Sequence, residues 1–481
     1  MKEEVNIKSN WIICTQCQGR GKKSKGLSKK VRANYLNAVK QYELSGNVGK
    51  APNLPKAHLY VCSSCNGSGL VQCQEKPIAD AAKFPHVAII GGGIGGVALA
   101  IACLHRQIPF SLYERDANFE ARSQGYGLTL QQAAKAVEGL GITSLKEGVV
   151  STKHLVHTTD GKVIGSWGNR KWIAEDVDYS SKRTNVHIAR QSLRKALLEQ
   201  LTEGTNINWG HQFVSFTESE TAITLEFSVN GKAIFAQADI VVGADGIRSA
   251  IRKKMIGEQL TPLRYLDCIV ILGICPLAAL ENVDSVLLDA ATVFQTANGN
   301  ERIYVMPYDK NTVMWQLSFP MTEEDAIALS TKGAAALKSE AIKRTHWHSP
   351  IPEIIAATPE VKISGYPVYD RDILSTENLK HLGNCTLIGD AAHPMSPFKG
   401  QGANQALLDA LSLANTIYKF CSGPAPWTRA TIRTTILDEY ENDMLVRSAV
   451  KVKDSAAAAQ FLHSIDVLHE SDEPRGNRTL D

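Results

Sequence analysis

Apolar positions fall in short blocks along this chain, and each block has its own period. Residues 87–104 carry no charge, but glycines at 91, 92, 93, 95 and 96 split them into a strand at 86–90, a tight turn and a helix-like stretch at 97–105. A second strand at 110–114 ends on Glu114. Residues 405–420 repeat with the helical period, and 428–463 also read as helix, with an alanine-rich stretch at 456–459. Between 261 and 369 the pattern turns to alternation. Residues 302–308 and 313–319 predict a hairpin around Asp309-Lys-Asn311. Period two places Arg302, Tyr304, Met306 and Tyr308 on one face of the first strand and Ile303 and Val305 on the other, while Gln316 and Ser318 share a face of its partner. Near the amino terminus, 31–43 reads as helix, 51–57 as loop and 74–83 as linker. The last residues, 471–481, are expected to be disordered.

Composition bounds the class. The chain has 481 residues, 44% of them hydrophobic, which allows a large core and two or three domains. The apolar runs at 87–104 and 268–280 are respectively broken by glycines and well short of the ~20 residues that span a bilayer. The opening MKEEVNIKSN lacks an apolar h-region, so no secretory signal is expected and a soluble, cytoplasmic protein is. Charge divides the chain: residues 1–83 carry a net +9 and the remainder a net −6. Five of the ten cysteines (Cys14, Cys17, Cys62, Cys65, Cys73) also fall within the first 73 residues. The other five sit mostly in apolar contexts and read as small buried hydrophobes. A small basic module therefore precedes a large, mildly acidic globule.

Within the module, Cys14-Thr-Gln-Cys17-Gln-Gly-Arg-Gly and Cys62-Ser-Ser-Cys65-Asn-Gly-Ser-Gly are two copies of C-x-x-C-x-G-x-G. Two such knuckles supply four sulfur ligands, the set for closed, tetrahedral structural zinc. The helix at 31–43 is expected to pack beside them, and Cys73 is left as an ordinary thiol. Over about residues 12–73 the module resembles the zinc module of DnaJ-type chaperones, which carries four copies. The resemblance implies metal binding, not chaperone activity. The basic run from Arg20 to Arg32 has no interleaved aromatic residues for base stacking, so it reads as a solvated face rather than a nucleic-acid site.

The globule opens with a phosphate-binding turn. Gly91, Gly93 and Gly96 form G-x-G-x-x-G between a strand and a helix, and Glu114 closes the next strand 18 residues on. Gly91 makes the turn, Gly93 lets the backbone approach a pyrophosphate, Gly96 lets helix and strand pack, and Glu114 can accept ribose hydroxyls. Two later segments extend the site. One is the strand and acidic turn at 239–249, with Asp245-Gly246. The other is the strand from Cys385 that ends on Asp390, followed by His393, Pro397, Gly400, Gln401, Gly402 and Asn404 at the opening of a helix.

With these three motifs in order over about residues 85–455, the chain resembles the single-component FAD-dependent aromatic hydroxylases, the p-hydroxybenzoate hydroxylase-like monooxygenases. That group includes salicylate hydroxylases and tetracycline-inactivating monooxygenases. The resemblance implies an α/β fold: a Rossmann-like FAD-binding domain with an inserted mixed-sheet substrate domain, here behind a small zinc-binding module. It implies that Gly91, Gly93, Gly96, Glu114 and Arg115 hold the ADP half of FAD, and that Arg122 lies in the segment crossing the cofactor. Arg190 matches the arginine that touches the cofactor at a helix start, Asp245-Gly246 the motif tied to pyrophosphate and nicotinamide binding, and Asp390 the residue on the ribityl chain. Pro397, Gly400, Gly402 and Asn404 match the loop beside the isoalloxazine ring. The sheet becomes the roof of a substrate cavity, with Tyr304, Met306 and Gln316 as candidate lining.

The expected domains are a zinc module at 1–75, a linker at 76–84, FAD-binding parts at 85–260 and 371–425, a substrate domain at 261–370, a helical segment at 426–470 and a tail at 471–481. The implied reaction has NADH or NADPH reduce FAD and O2 add as a flavin hydroperoxide that hydroxylates a small aromatic or polycyclic compound. No Ser/His/Asp set, paired carboxylates or obligate catalytic base is identifiable, and no second Rossmann fingerprint serves the nicotinamide. Two readings stay open beside it: a flavin oxidoreductase or dehydrogenase without oxygen insertion, and a flavoenzyme docked through its zinc module to a carrier or partner protein.

Overall fold

The computed structural model describes residues 10–46, 48, 49, 51–53, 55, 57–121, 125–131, 133–168, 185–201, 207–380, 382–424 and 426–475. The chain divides into two compact units, residues 1–78 and 79–481.

In the first unit, strands Asn10–Ile13 and Leu70–Cys73 pair antiparallel, as do Lys22–Ser24 and Leu59–Val61. The two pairs carry the cysteine knuckles. Helix Lys29–Leu44 starts on a Ser28 cap but buries no residue, so the expectation that it packs beside the cysteine site is not met. Its apolar residues are too few and too scattered to form a face.

The second unit is built on a five-stranded parallel sheet in the order Ile207–Asn208, Phe110–Tyr113, Val87–Ile90, Ile240–Gly243, Cys385–Leu387. Its central strands are apolar throughout because helices cover the sheet. Helix Ile94–Leu104 buries nearly all its residues, and Gly402–Cys421 packs alongside it. A seven-stranded mixed sheet lies apart, in the order Val163–Trp167, Lys153–His157, Thr292–Ala297, Arg302–Pro307, Thr312–Pro320, Leu263–Pro276, Ile363–Arg371. One face, with Ile269, Ile271, Ile303, Val305, Trp315 and Leu317, packs on helices Glu323–Thr331, Ala334–Arg344 and Ile351–Ala357. This helical layer was not expected, and it buries the face that alternation alone left open. The opposite face carries Val270, Leu272, Ile274, Met306 and Met314 and meets Tyr126 and Phe398 of the nucleotide-fold side.

Two boundaries differ from expectation. Residues 79–84 belong to the second unit rather than to a linker: Phe84 is buried and stacks on Tyr418, ring centroids 5.7 Å apart. Residues 471–475 are not a loose tail, because they close the edge of strand Val163–Trp167. Ser471 N donates to Ile164 O (3.0 Å), Ser166 N to Asp472 Oδ1 (2.9 Å) and buried Arg475 to Ile164 O (3.1 Å). The five scattered cysteines are buried, as their apolar contexts imply.

Candidate active site

The glycine turn has the geometry its spacing implies. Gly91 sits at φ +115°, where a Cβ would lie 2.4 Å from Ala244 O, and a Cβ on Gly96 would lie 1.9 Å from Gly91 O. Both positions require glycine for close backbone packing. Gly93 is different: a Cβ there meets nothing within 4 Å, so the turn opens onto free space at the start of helix Ile94–Leu104. That is the cradle a pyrophosphate needs. Glu114 is buried beside it, with Oε2 accepting from Gly92 N (2.7 Å) and Oε1 from Asp116 N (3.0 Å), which leaves each oxygen one further acceptor site. Arg115 is exposed, and Arg122 lies outside the described residues.

A second arginine, not singled out from the sequence, reinforces this turn. Arg194, one helical turn beyond Arg190, donates from Nε to Gly92 O (2.7 Å) and lies over the rings of Phe119 and Trp209. Its i+4 spacing from Arg190 on an otherwise amphipathic helix was the available signal. Arg190 itself stacks over Tyr126 at 5.1 Å.

Asp390 is open to solvent, yet the crowd of surrounding protein raises its carboxyl above the usual range, with His393 and Arg190 drawing it back. A Cβ on Gly402 would lie 3.3 Å from Asp390 Oδ1, which places the carboxylate at the opening of helix Gly402–Cys421. The turn that carries it is held from three sides. Arg252 Nη1 donates to Ala391 O and Ala392 O (both 2.8 Å), and Asp409 Oδ2 accepts from Gly389 N (2.8 Å) and bonds His393 Nε2 (2.7 Å). Arg447 closes the set on Asp409 Oδ1 at 2.9 Å. Burial alone would raise the fully buried Asp409, but His393 and Arg447 hold its carboxyl below the usual range. His393 thus fixes the turn. Arg252 and Asp409 were not anticipated, because their partners lie far away in sequence.

Two of the expected cofactor contacts also fasten the protein through their side chains. Asn404 Oδ1 accepts from Gln131 N (2.9 Å) and Ala133 N (3.2 Å), while Nδ2 donates to Thr129 O (2.9 Å) and Gly400 O (2.8 Å). An amide has four such capacities and all are taken, so the Asn404 side chain is spent on tying the loop. Asp245 caps helix Ala250–Ile256, accepting from Ser249 Oγ, Ala250 N and Ile251 N, while Gly246 at φ +83° faces open space. Pro397 begins the short turn Pro397–Lys399, which ends on left-handed Gly400. Beside it Gln401 Oε1 is buried without a donor, a place that fits a ring N–H.

The sheet roof carries the remaining candidates. Met306 packs against Gly127 with Met314, which makes it a wall between layers and not a free contact. Tyr304 and Gln316 stand opposite each other in register, and neither side chain has a hydrogen-bond partner among the described residues. Beside them Arg302, 5% exposed, donates from Nε to Gln295 Oε1 (2.8 Å) and stacks on Tyr304 at 4.9 Å, but its Nη1 has no partner. Among the described residues no carboxylate acts on it, and burial pushes the guanidinium down to about 10. Ser318, paired with Arg302, bonds His463 Nε2 (2.8 Å), whose ring meets Phe398 of the Pro397–Lys399 turn.

In the first unit the ligand atoms of Cys14, Cys17, Cys62 and Cys65 all lie within 4.8 Å of one another and are buried. The separations Cys14–Cys62 (4.0 Å) and Cys17–Cys65 (3.7 Å) are far too long for disulfides and match the edge of about 3.8 Å that four Zn–S bonds of ~2.3 Å set in a tetrahedron. Gly21 N and Gly69 N donate to Cys17 Sγ and Cys65 Sγ, so each knuckle's second glycine turns an N–H onto a sulfur, a contact that suits a metal-ligating thiolate.

Comparison with known proteins agrees with this geometry. The family model described as FAD binding domain matches residues 85–452. The chain is 26% identical over 420 residues to a probable FAD-dependent monooxygenase of Arthroderma benhamiae, covering 79% of this chain and 92% of the relative. It is 28% identical over 351 residues to a 3-amino-4-hydroxybenzoate 2-monooxygenase of Streptomyces platensis, covering 72% and 82%. Among solved structures, 2,6-dihydroxypyridine-3-hydroxylase from Arthrobacter nicotinovorans superposes with a TM-score of 0.67 at 17% identity, covering 82% of this chain and 95% of that one. The Klebsiella pneumoniae HpxO complex with FAD and uric acid superposes with a TM-score of 0.65 at 19% identity, covering 79% and 89%. Among the described residues no helix is long and apolar enough to cross a membrane.

Proposed function

The chain belongs to the FAD binding domain family and is an FAD-dependent monooxygenase of the aromatic-hydroxylase group; from that premise we propose that it uses NAD(P)H and O2 to hydroxylate a small aromatic substrate that bears an acidic or hydrogen-bond-accepting group. One observation carries the substrate reading: Arg302, Tyr304 and Gln316 present three unpartnered polar groups on one face of the sheet, turned toward the nucleotide-fold side. A buried guanidinium with no counter-charge is costly alone and is relieved by an anionic ligand.

Bound FAD supplies the redox chemistry with nicotinamide and oxygen. The protein's part is binding, orientation and exclusion of water. Gly93 and the opening of its helix take the pyrophosphate, Glu114 the ribose, and Asp390 the polyol chain. Arg194, Arg252, Asp409 and Asn404 keep those turns in place. The Met306–Met314 wall and Val293 keep water from the space beneath the roof. Arg302, Tyr304 and Gln316 fix which edge of the substrate ring faces the cofactor.

The four cysteines are assigned to one structural zinc ion, the reading their separations and burial support.

The test is the rate of NADPH and NADH oxidation by the FAD-loaded protein with a panel of aromatic acids and their neutral amides. Stimulation by an acid, with a product heavier by one oxygen atom from O2, is expected. A stimulated product that contains no oxygen from O2 would overturn the monooxygenase reading, and equal stimulation by acid and amide the substrate reading.

A further inference from the structure

Three short strands and a loop bring four side chains into one unbroken hydrogen-bonded line. Thr129 Oγ1 lies 3.0 Å from His187 Nδ1, His187 Nε2 lies 2.8 Å from Ser151 Oγ, and Ser151 Oγ lies 3.2 Å from His154 Nε2. The line crosses from one sheet to another. Thr129 and His187 are register partners in strands Gly127–Leu130 and Val186–Ala189, while His154 sits in Lys153–His157 of the seven-stranded roof.

The two ends lie in different surroundings. Leu128, Leu130 and Ile188 pack into the main core, so alternation turns Thr129 and His187 to the other face, shared with Gly127. That is the face on which Gly127 meets Met306 and Met314. Thr129 is half-buried beside the cofactor loop: its Cβ would lie 4.0 Å from a Cβ on Gly400, and its carbonyl is tied to that loop through Asn404. At the far end His154 is half-buried, stacked on Trp167 at 5.4 Å, and its Nδ1 has no partner among the described residues. Between them His187 is fully buried.

Burial pushes His187 down to about 3 and His154 down to about 4, and among the described residues no carboxylate acts on either ring. Both imidazoles are therefore neutral near pH 7, each with one ring nitrogen that donates and one that accepts. The only consistent polarity with a donor at the cofactor end runs His154 Nε2–H to Ser151, Ser151 O–H to His187 Nε2, His187 Nδ1–H to Thr129, which leaves the Thr129 proton for the site.

We propose that Thr129, His187, Ser151 and His154 form a proton relay between solvent and the cofactor cleft. It rests on the monooxygenase reading above, which sets the demand: NAD(P)H + H⁺ + O2 + R–H gives NAD(P)⁺ + R–OH + H2O, so each turnover takes up one proton. A proton bound at His154 Nδ1 releases the one on Nε2 to Ser151. Each bond then shifts in turn, and the Thr129 proton leaves on the cofactor side. Hydroxyl rotation and tautomer exchange reset the line. None of the four need touch substrate or cofactor carbon, so they are relay residues.

Two near-isosteric variants cut the line at its ends: Thr129→Val, and His154→Phe, which keeps the stack on Trp167. The first readout needs no turnover: exchange of the His187 ring N–H with water, followed by NMR on the oxidised, FAD-loaded chain with labelled histidine. A relay makes this buried proton exchange fast, and His154→Phe slows it tenfold or more. The second is stopped-flow proton uptake, followed with a pH-indicator dye, when photoreduced protein is mixed with O2 in the absence of substrate. That reaction also consumes one proton, and both variants slow its uptake tenfold or more at unchanged FAD affinity. Exchange and uptake within twofold of the native chain in both variants would overturn the relay. A native chain that holds no FAD would instead overturn the reading on which it rests.

Discussion

Replacing Arg302 with Met separates recognition from support, because the two roles give opposite balances. In the ligand-free protein, burial lowers the guanidinium pKa from 12.5 to about 10, and at 1.36 kcal/mol per unit this is a cost of about 3 kcal/mol for keeping the charge. The substitution removes that cost. It also loses the bond to Gln295, worth ~1 kcal/mol, strands the Gln295 oxygen at ~1 kcal/mol or more, and forfeits the stack on Tyr304 at ~1 kcal/mol. Gain and loss nearly cancel, so the ligand-free stability of Arg302→Met should lie within about 1 kcal/mol of the native chain.

Binding has no such compensation. A charge-assisted hydrogen bond to an anionic substrate contributes about 1.5–3 kcal/mol, so its loss weakens affinity roughly 10- to 150-fold. The assay pairs urea unfolding of the ligand-free protein with titration of the FAD-loaded protein by an aromatic acid and its amide, read from the flavin absorbance. Native protein should favour the acid and Arg302→Met should lose that preference. The reasoning is refuted if the variant loses several kcal/mol of stability while its discrimination between acid and amide is intact, since Arg302 would then serve only to knit the roof.

Three further outcomes follow from the same geometry. Gly93→Ala adds a methyl group to open space and should leave the fold intact while lowering FAD affinity at least tenfold, whereas Gly96→Ala drives a Cβ into Gly91 O and should cost roughly 1–3 kcal/mol of stability or more; equal thermal shifts in the two would contradict the assignment. Histidines 105, 154, 157, 187 and 463 are pushed down to between about 3 and 4 by burial, below the 6.5 of the unfolded chain, so the unfolded state binds more protons as pH falls. Their contribution is complete above pH 6.5 and is lost toward pH 4. The carboxyls of Asp245, Asp390 and Glu441 are shifted up by desolvation and titrate in the opposing sense, but five rings outweigh them. The urea midpoint should fall sharply between pH 7.5 and 5, and an unchanged midpoint would count against the buried neutral rings. Cys17→Ser should reduce bound zinc from one ion per chain to none by metal analysis, and full occupancy in that variant would remove Cys17 from the ligand set.

The legible parts of the fold were those where a local pattern answers to a local need. Gly91 and Gly96 must be glycine because backbone atoms stand where a Cβ would go, so spacing alone located the turn. The repeated C-x-x-C-x-G-x-G likewise brought four sulfurs together across 48 residues, because each knuckle forms within itself. What stayed hidden depends on pairings that no window of sequence contains. Arg252 reaches Ala391 across 139 residues, and residues 471–475 complete a strand edge some 300 residues earlier. The helical layer at 323–357 was missed because its helices are short and only one side of each is apolar.

The sequence named Asn404 for the site and placed Arg302 only on a strand face, but their hydrogen-bond capacity reverses that ranking. Asn404 spends its capacity on backbone groups, and Asp245 and Asp409 spend theirs on backbone and side-chain groups of the turns around them, so they act by holding those turns rigid. Arg302 Nη1 and Gln401 Oε1 retain capacity in places that shut out water, and the Tyr304 hydroxyl and Gln316 amide stand beside Arg302 without a partner among the described residues. Unmet groups in such positions cost stability in the empty protein and recover it only when a complementary ligand arrives. Affinity at this cleft is therefore concentrated in the few groups left unsatisfied. The Thr129–His154 line stands in a third relation: each link both donates and accepts, so it neither holds a turn nor waits for a ligand, and the function that fits such an arrangement is transfer.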